Sequence, residues 1–202
     1  MVGYQLKMTD EKPYHHGDLR SALLIAAELE LLEKGVEAFS LRSVAKRAGV
    51  SHAAPAHHFG DATGLLTALA TYGFQEFLAT QHAFEARAPK TPRDQLIAAG
   101  LGYVGFARAR PALFKLMFGS QRTDYGNLAL SSAAQAAIAH LKAQVKLAGS
   151  SEAQDVTAVW AMAHGLADLI VAGRINVIRH IKEDDLQDML TAVLTRSLPD
   201  AI

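Results

Sequence analysis

The sequence predicts an all-α fold, on three observations. Apolar residues recur at the three-to-four-residue spacing of a buried helix face along almost the whole chain. No stretch alternates apolar and polar residues with the β-branched enrichment of a half-buried strand. Half of the 202 residues are hydrophobic and a fifth are charged, with 15 glycines and 6 prolines, a composition that builds a core and does not suit a disordered chain.

The first helix is expected from about Gly17 to Lys34. Leu19, Leu23, Ala26, Ala27 and Leu31 form one face, and Gly35 stops it with a left-handed cap. Ser40 caps a short second helix, Leu41 to Ala48, which Gly49 ends, and Ser51 opens a third reaching about Phe59. Asp61 or Thr63 starts a long fourth helix through Leu65, Leu66, Leu69, Tyr72, Phe74, Phe77 and Leu78. The stretch Arg87 to Arg93 holds two prolines and reads as a connection, not a hinge between independent domains. Further helices are expected at about Asp94 to Arg108, Pro111 to Phe118, Leu128 to Ala148, Glu152 to Ala172 and Asp184 to Ser197. Pro111 then lies in a first turn, and Gly149 and Gly173 act as stops. This makes about nine helices, with no repeat of solenoid length.

Cysteine is absent, which excludes disulfides, thiolate nucleophiles and cysteine-based metal sites. The N-terminus has no apolar run of signal-peptide length, and the uncharged stretch Val156 to Ala167 is too short to span a bilayer, so a soluble, non-exported protein is expected. The net charge of zero argues against nucleic-acid binding if taken alone. Its distribution is uneven, however. Arg42, Lys46 and Arg47 share one short helix, while Glu152, Asp155, Glu183, Asp184, Asp185 and Asp188 lie in the last third.

The sharpest local signal is LRSVAKRAGVSHAAPAHHF, residues 41–59. Two short helices that cross closely need a small residue at the near-contact point, which Ala45 supplies. Gly49 provides the positive φ of the turn, Val50 plugs the corner, and Leu41 and Val44 face a small core. In such a helix-turn-helix the first helix crosses the phosphate backbone and the second lies in the major groove. Arg42, Lys46, Ser51, His52, Ala53, His57 and His58 are the candidate DNA-contacting residues.

The longer stretch Tyr14 to Ala70 resembles the whole DNA-binding domain of the tetracycline-repressor (TetR) family. A long first helix ends in Gly, Phe39 and Ser40 lead into the short helix, an A-x-x-x-G-V turn follows, and an H-F-G-D sequence opens the fourth helix. The resemblance implies a helix-turn-helix domain with an N-terminal arm over residues 1–60 and a ligand-sensing, dimerising bundle over 61–202. It also implies a cytoplasmic homodimer on a palindromic double-stranded operator, released when a small-molecule effector binds. The chain departs from the family at Ala56, where an aromatic is common, and at Ala62 or Thr63, where a lysine is common. Both of those residues usually touch phosphates, so Arg42, Lys46, His57 and His58 are left to anchor the backbone. Pro55 falls early in the recognition helix, where the first N–H groups lack intrahelical partners.

Trp160 with His164-Gly165, and FARARPALFKLMFG at 106–119, resemble the class of TetR C-terminal domains named for Trp, His and Gly. Trp160 and His164 are one turn apart on one face, where an indole wall and an imidazole suit a ligand, with Phe106, Phe114, Met117 and Phe118 as the opposite wall. The bland alternative for such a stripe is ordinary core. Val156, Val159, Ala163, Leu166 and Ile170, and Leu186, Met189, Leu190, Val193 and Leu194, form two apolar faces that resemble the family's dimer-forming pair. Their alternative is packing within the monomer.

Two other chemistries carry less. Adjacent histidines at His15-His16 and His57-His58 diverge by about 100° on a helix, and no histidine-carboxylate set has metal-ligand spacing, so neither a metal nor a cofactor is expected. His164 with Asp168 one turn on is the best acid-base pair, but no nucleophile or phosphate-binding loop accompanies it, and no enzyme activity is expected. The remaining alternative is a helix-turn-helix module that senses a ligand or a protein without holding an operator.

Overall fold

A computed structural model describes residues 16–175, 178 and 182–196. His15, the N-terminal arm and Ser197 lie outside the described residues. Within them the chain forms nine α-helices and no strand: α1 (His16–Lys34), α2 (Leu41–Ala48), α3 (Ala54–Phe59), α4 (Ala62–Arg87), α5 (Pro92–Ala109), α6 (Pro111–Gly119), α7 (Leu128–Leu147), α8 (Ala153–Val171) and α9 (Glu183–Arg196).

The caps explain the boundaries. Ser40 Oγ accepts from the Ser43 N–H at 3.2 Å and starts α2. Gly49, at φ 69° and ψ 29°, ends it with its N–H directed at the Ala45 and Lys46 carbonyls. Asp61 accepts from the Gly64 N–H at 2.8 Å to start α4, and Asn127 caps α7. Two starts differ from expectation. α5 opens at Pro92 under a Thr91 cap, because proline needs no N–H partner in a first turn. α3 opens at Ala54, not at Ser51. A helix capped by Ser51 would need Pro55 to donate to the Ser51 carbonyl, and proline has no N–H. The Ala54 N–H takes that carbonyl instead at 3.1 Å, closing a turn through His52 and Ala53.

α2 is fastened to α1 by a charge cluster. Glu30 of α1, only 1% exposed, meets Lys34 Nζ at 2.8 Å and Arg47 Nη2 at 3.3 Å, and Arg47 also pairs with Glu33. Burial alone would raise the Glu30 pKa, but hydrogen bonds from Lys34, Arg47 and Ser43 outweigh it and hold the carboxyl below its ordinary value of 4.5.

One core runs through the molecule, from Leu23 and Val44 of α1 and α2, through Leu65, Leu69 and Phe74 of α4, to Phe106, Leu113 and Phe114 of α5 and α6 and Leu190 of α9. α4 and α5 approach closely because position 102 is glycine. A Cβ there would lie 2.7 Å from the Gln81 Cα. The apolar faces expected to form the dimer contact are turned inward. Val159, Ala163 and Leu166 of α8 and Leu186, Leu190 and Leu194 of α9 are buried within the monomer, as both helices pack on α5. The opposite face of α8 carries Ala158, Ala161, Met162 and Leu169, which are exposed. Periodicity marks an apolar face but not what covers it, and here the α5 surface covers it.

Because the Glu30 pKa is lowered in the folded state, its stabilisation is present above pH 4.5 and is lost as pH falls through the lowered folded value. Glu30→Gln is expected to lower Tm by about 3–8 °C at pH 7. The gap to the parent should shrink in acid. A pH-independent gap would contradict the clamp.

Candidate nucleic-acid interface and effector cavity

The turn between α2 and α3 is held by the Val50 N–H on the Ala45 carbonyl at 3.0 Å. Val44 and Ala45 are fully buried, as the close crossing requires. Pro55 is buried and Phe59, one turn on, is half-buried beneath the Arg20 guanidinium, which lies 5.2 Å above its ring centroid. With these facing inward, Ser51, His52, Ala53, Ala56 and His57 are left exposed on the outer side, and His58 is half-buried. On α2, Arg42 and Lys46 are exposed and, unlike Arg47, enter no ion pair among the described residues. The guanidinium of Arg47 is occupied by α1 and is structural. The structure thus leaves the predicted contact residues exposed on the helix-turn-helix, His58 only in part, and Ala56 and Thr63 are exposed as well.

Between α4, α5, α7 and α8 lies a cavity of about 680 Å³, lined mostly by apolar side chains that include Phe77, Tyr103, Phe118, Ile138, Val159 and Trp160. Its polar lining includes Gln81 and His140. Gln81 donates to the Ala99 carbonyl at 3.2 Å, and its own Oε1 is buried without a hydrogen-bond partner. A smaller recess of about 440 Å³ shares Phe118 and Trp160 and adds Met117 and His164.

The predicted ligand residues thus divide. Phe118 and Trp160 line both spaces, and Met117 and His164 line the recess, Met117 from an almost wholly buried position. Phe106 and Phe114 are core residues and border neither space; their apolar stripe packs Phe106 against Phe77, at a ring separation of 5.4 Å, and Phe114 against Tyr103 at 6.1 Å. His164 Nδ1 is 2.8 Å from the Tyr103 hydroxyl and its ring is surrounded by Phe114, Phe118 and Trp160. Burial pushes the Tyr103 phenol far above its usual range, with the Trp160 indole opposing the shift, so the hydroxyl keeps its proton. Asp168 is exposed on α8 and is not a hydrogen-bond partner of His164 among the bonds seen, which removes the geometry of an acid-base pair.

α6 lies between the two sites. Arg110, at its start, pairs with Glu28 of α1 at 3.5 Å and Glu76 of α4 at 3.8 Å, and donates to the Tyr72 hydroxyl at 3.2 Å. Arg122, just beyond its end, donates to the Val36 carbonyl in the α1–α2 connection. Asp124 N–H donates to Thr67 Oγ1 of α4 at 2.9 Å. None of these links was read from the sequence, because each joins residues far apart in the chain.

A histidine-carboxylate set also exists, contrary to expectation. His82 and Glu85 of α4 meet His140 of α7, with His140 Nε2 at 2.6 Å and His82 Nδ1 at 3.0 Å from the Glu85 carboxylate. Helical spacing within one segment could not reveal it, since helix packing supplies the third member.

Residues 96–196, half of the chain, match the family model described as the tetracyclin repressor-like C-terminal domain. Residues 23–69 match that of bacterial regulatory proteins, tetR family. The chain belongs to the TetR family. A solved structure from Rhodococcus sp. RHA1, described as a protein with unknown function, is 32% identical at a TM-score of 0.77, covering 93% of this chain and 99% of that one. A TetR-like transcriptional regulator from the same organism shares the fold at 19% identity and a TM-score of 0.66, over 91% of this chain and 97% of that one. The HTH-type transcriptional regulator BetI of Burkholderia thailandensis is 37% identical over 82 residues, 40% of this chain and 42% of the relative. The chain therefore matches about two fifths of the length of the curated relatives. No described helix of this TetR-family regulator is long and apolar enough to cross a membrane.

Replacing Phe114 by Ala is expected to cost about 3–5 kcal/mol in denaturant unfolding. Phe118→Ala should cost less than half of that, because Phe118 already borders empty space. Equal losses would place both rings in one environment and contradict the division between core and cavity.

Proposed function

We propose that this TetR-family regulator is a ligand-responsive, sequence-specific DNA-binding protein that represses by holding a palindromic operator and leaves it when a small molecule occupies the cavity. The observation that carries this reading is the pairing of a free cationic and histidine surface on α2 and α3 with a large apolar cavity, joined through α6. Arg42 and Lys46 supply phosphate contacts, and Ser51, His52, Ala53 and His57 face the base edges, with His58 at the margin. One such surface reads one half-site. A two-fold homodimer, paired through the outer faces of α8 and α9, doubles the contact with half-sites about 34–36 Å apart.

Trp160, His164 and Gly165 keep their resemblance to the Trp-His-Gly class of C-terminal domains. The effector suited to this cavity is largely apolar, with a hydrogen-bond donor for Gln81 Oε1. A ligand drives release only through unequal affinity for the two dimer geometries. A ligand pressing on Phe118 at the end of α6 acts on Arg110 and Arg122, and through them on α1 and the α1–α2 connection, which carry the recognition surface. The cytoplasm is the compartment in which such a protein meets chromosomal DNA.

Selection of genomic fragments with the purified chain is expected to enrich a palindrome. Affinity for that site should fall linearly on a logarithmic salt scale. Arg42→Ala is expected to weaken binding and reduce the slope by about one unit, whereas His57→Ala should alter base preference with a smaller change in slope. Failure to enrich any site from the folded dimer would leave a helix-turn-helix module without an operator.

A further inference from the structure

We infer that His82, Glu85 and His140 form a site for one divalent transition-metal ion of the zinc type, clamping α7 to the C-terminal half of α4. The three donor atoms, His82 Nδ1, His140 Nε2 and a Glu85 oxygen, lie within 4.8 Å of one another. His82 and Glu85 are three residues apart and share a face of α4, while His140 reaches across from α7. The imidazoles meet edge to face at a ring separation of 4.5 Å, so both ring nitrogens converge on one carboxylate.

The donor chemistry suits that class of ion. Two imidazoles and a carboxylate are a ligand set for zinc, nickel or cobalt, not for calcium or magnesium, which take oxygen donors. Bonds of about 2.0–2.1 Å around a tetrahedral ion place donor atoms about 3.3 Å apart. The present separations of 2.6 and 3.0 Å are those of proton-mediated contacts. An ion that replaces those two protons requires each nitrogen to part from the carboxylate by less than about 1 Å and the two nitrogens, within 4.8 Å of each other, to settle near the same donor spacing, adjustments of the size that side-chain rotation supplies.

The environment is built to hold the set. Glu85 is 6% exposed, and on α7, four residues beyond His140, Gln144 donates to Glu85 Oε1 at 3.1 Å, fixing the carboxylate from outside the triad. Gln144 Oε1 is itself buried without a hydrogen-bond partner, so the hydrogen-bond network around Glu85 is left open on that side. His140 also lines the cavity, from which a water or another donor would complete the coordination. The site does not depend on operator binding, and its test uses no DNA.

The test is titration of the full chain, stripped with a chelator, with Zn²⁺ alone and with Co²⁺ alone, followed by calorimetry and by the visible absorption of bound cobalt. The expected result is one ion per chain, a cobalt spectrum of a low-coordinate nitrogen-oxygen site, and a higher Tm with the ion. His140→Gln and His82→Ala should each weaken binding by more than about tenfold. His82 is more than half exposed, so His82→Ala keeps the fold and decides the matter if His140→Gln does not fold. Absence of saturable binding, or an affinity unchanged in His82→Ala, would overturn the assignment.

Discussion

The structure depends on the way α6 is wedged between its two ends. Leu113, Phe114, Leu116 and Met117 bury almost their whole surface, and an arginine at each end of the helix reaches α1 or the α1–α2 connection. Without this wedge, the helix-turn-helix and the cavity would be two structures joined only by α4. With it, the helix that ends at Phe118 in the cavity wall is tied to Glu28 and to the Val36 carbonyl, and these ties are the route the proposed response to a ligand requires. Packed interiors do not deform continuously, so a small shift at one end of such a wedge is more readily passed on than absorbed.

Electrostatics divides labour among the basic residues of α2. Three cations fall within six residues, yet the buried Glu30 carboxylate claims Arg47, leaving Arg42 and Lys46 to face outward. A chain with no net charge can thus still present a local positive surface. The same ion pairs tie α2 to α1 while Arg42 and Lys46 stay exposed.

The helix-turn-helix was legible because its signals are local. Gly35, Gly49, Ser40 and Asp61 each fix a boundary through their own backbone or side chain, and all four act as their residue types dictate. α3 starts at Ala54 although Ser51 is a good cap by residue type, because the missing N–H of Pro55 overrides it. In the C-terminal half, spacing identified apolar faces but not their covering. Phe106 and Phe114 share the pattern of Phe118 yet lie in the core, and the inner faces of α8 and α9 serve the monomer. The His140–Glu85 contact and the Arg110 and Arg122 links were illegible because contacts across 34 to 86 residues arise from packing. Gln81, buried in the cavity wall with an orphaned acceptor, gives no sequence signal at all.

The proposed coupling between the cavity and the α2–α3 surface can be probed by filling the cavity. Ala137 of α7 lines the cavity and is only partly buried, so Ala137→Trp occupies the space without a ligand. Binding of the folded variant to the selected operator fragment should be weaker by at least about tenfold, with an unchanged salt slope because the phosphate contacts are the same. Operator affinity equal to that of the parent, with the cavity shown to be filled, would contradict the account.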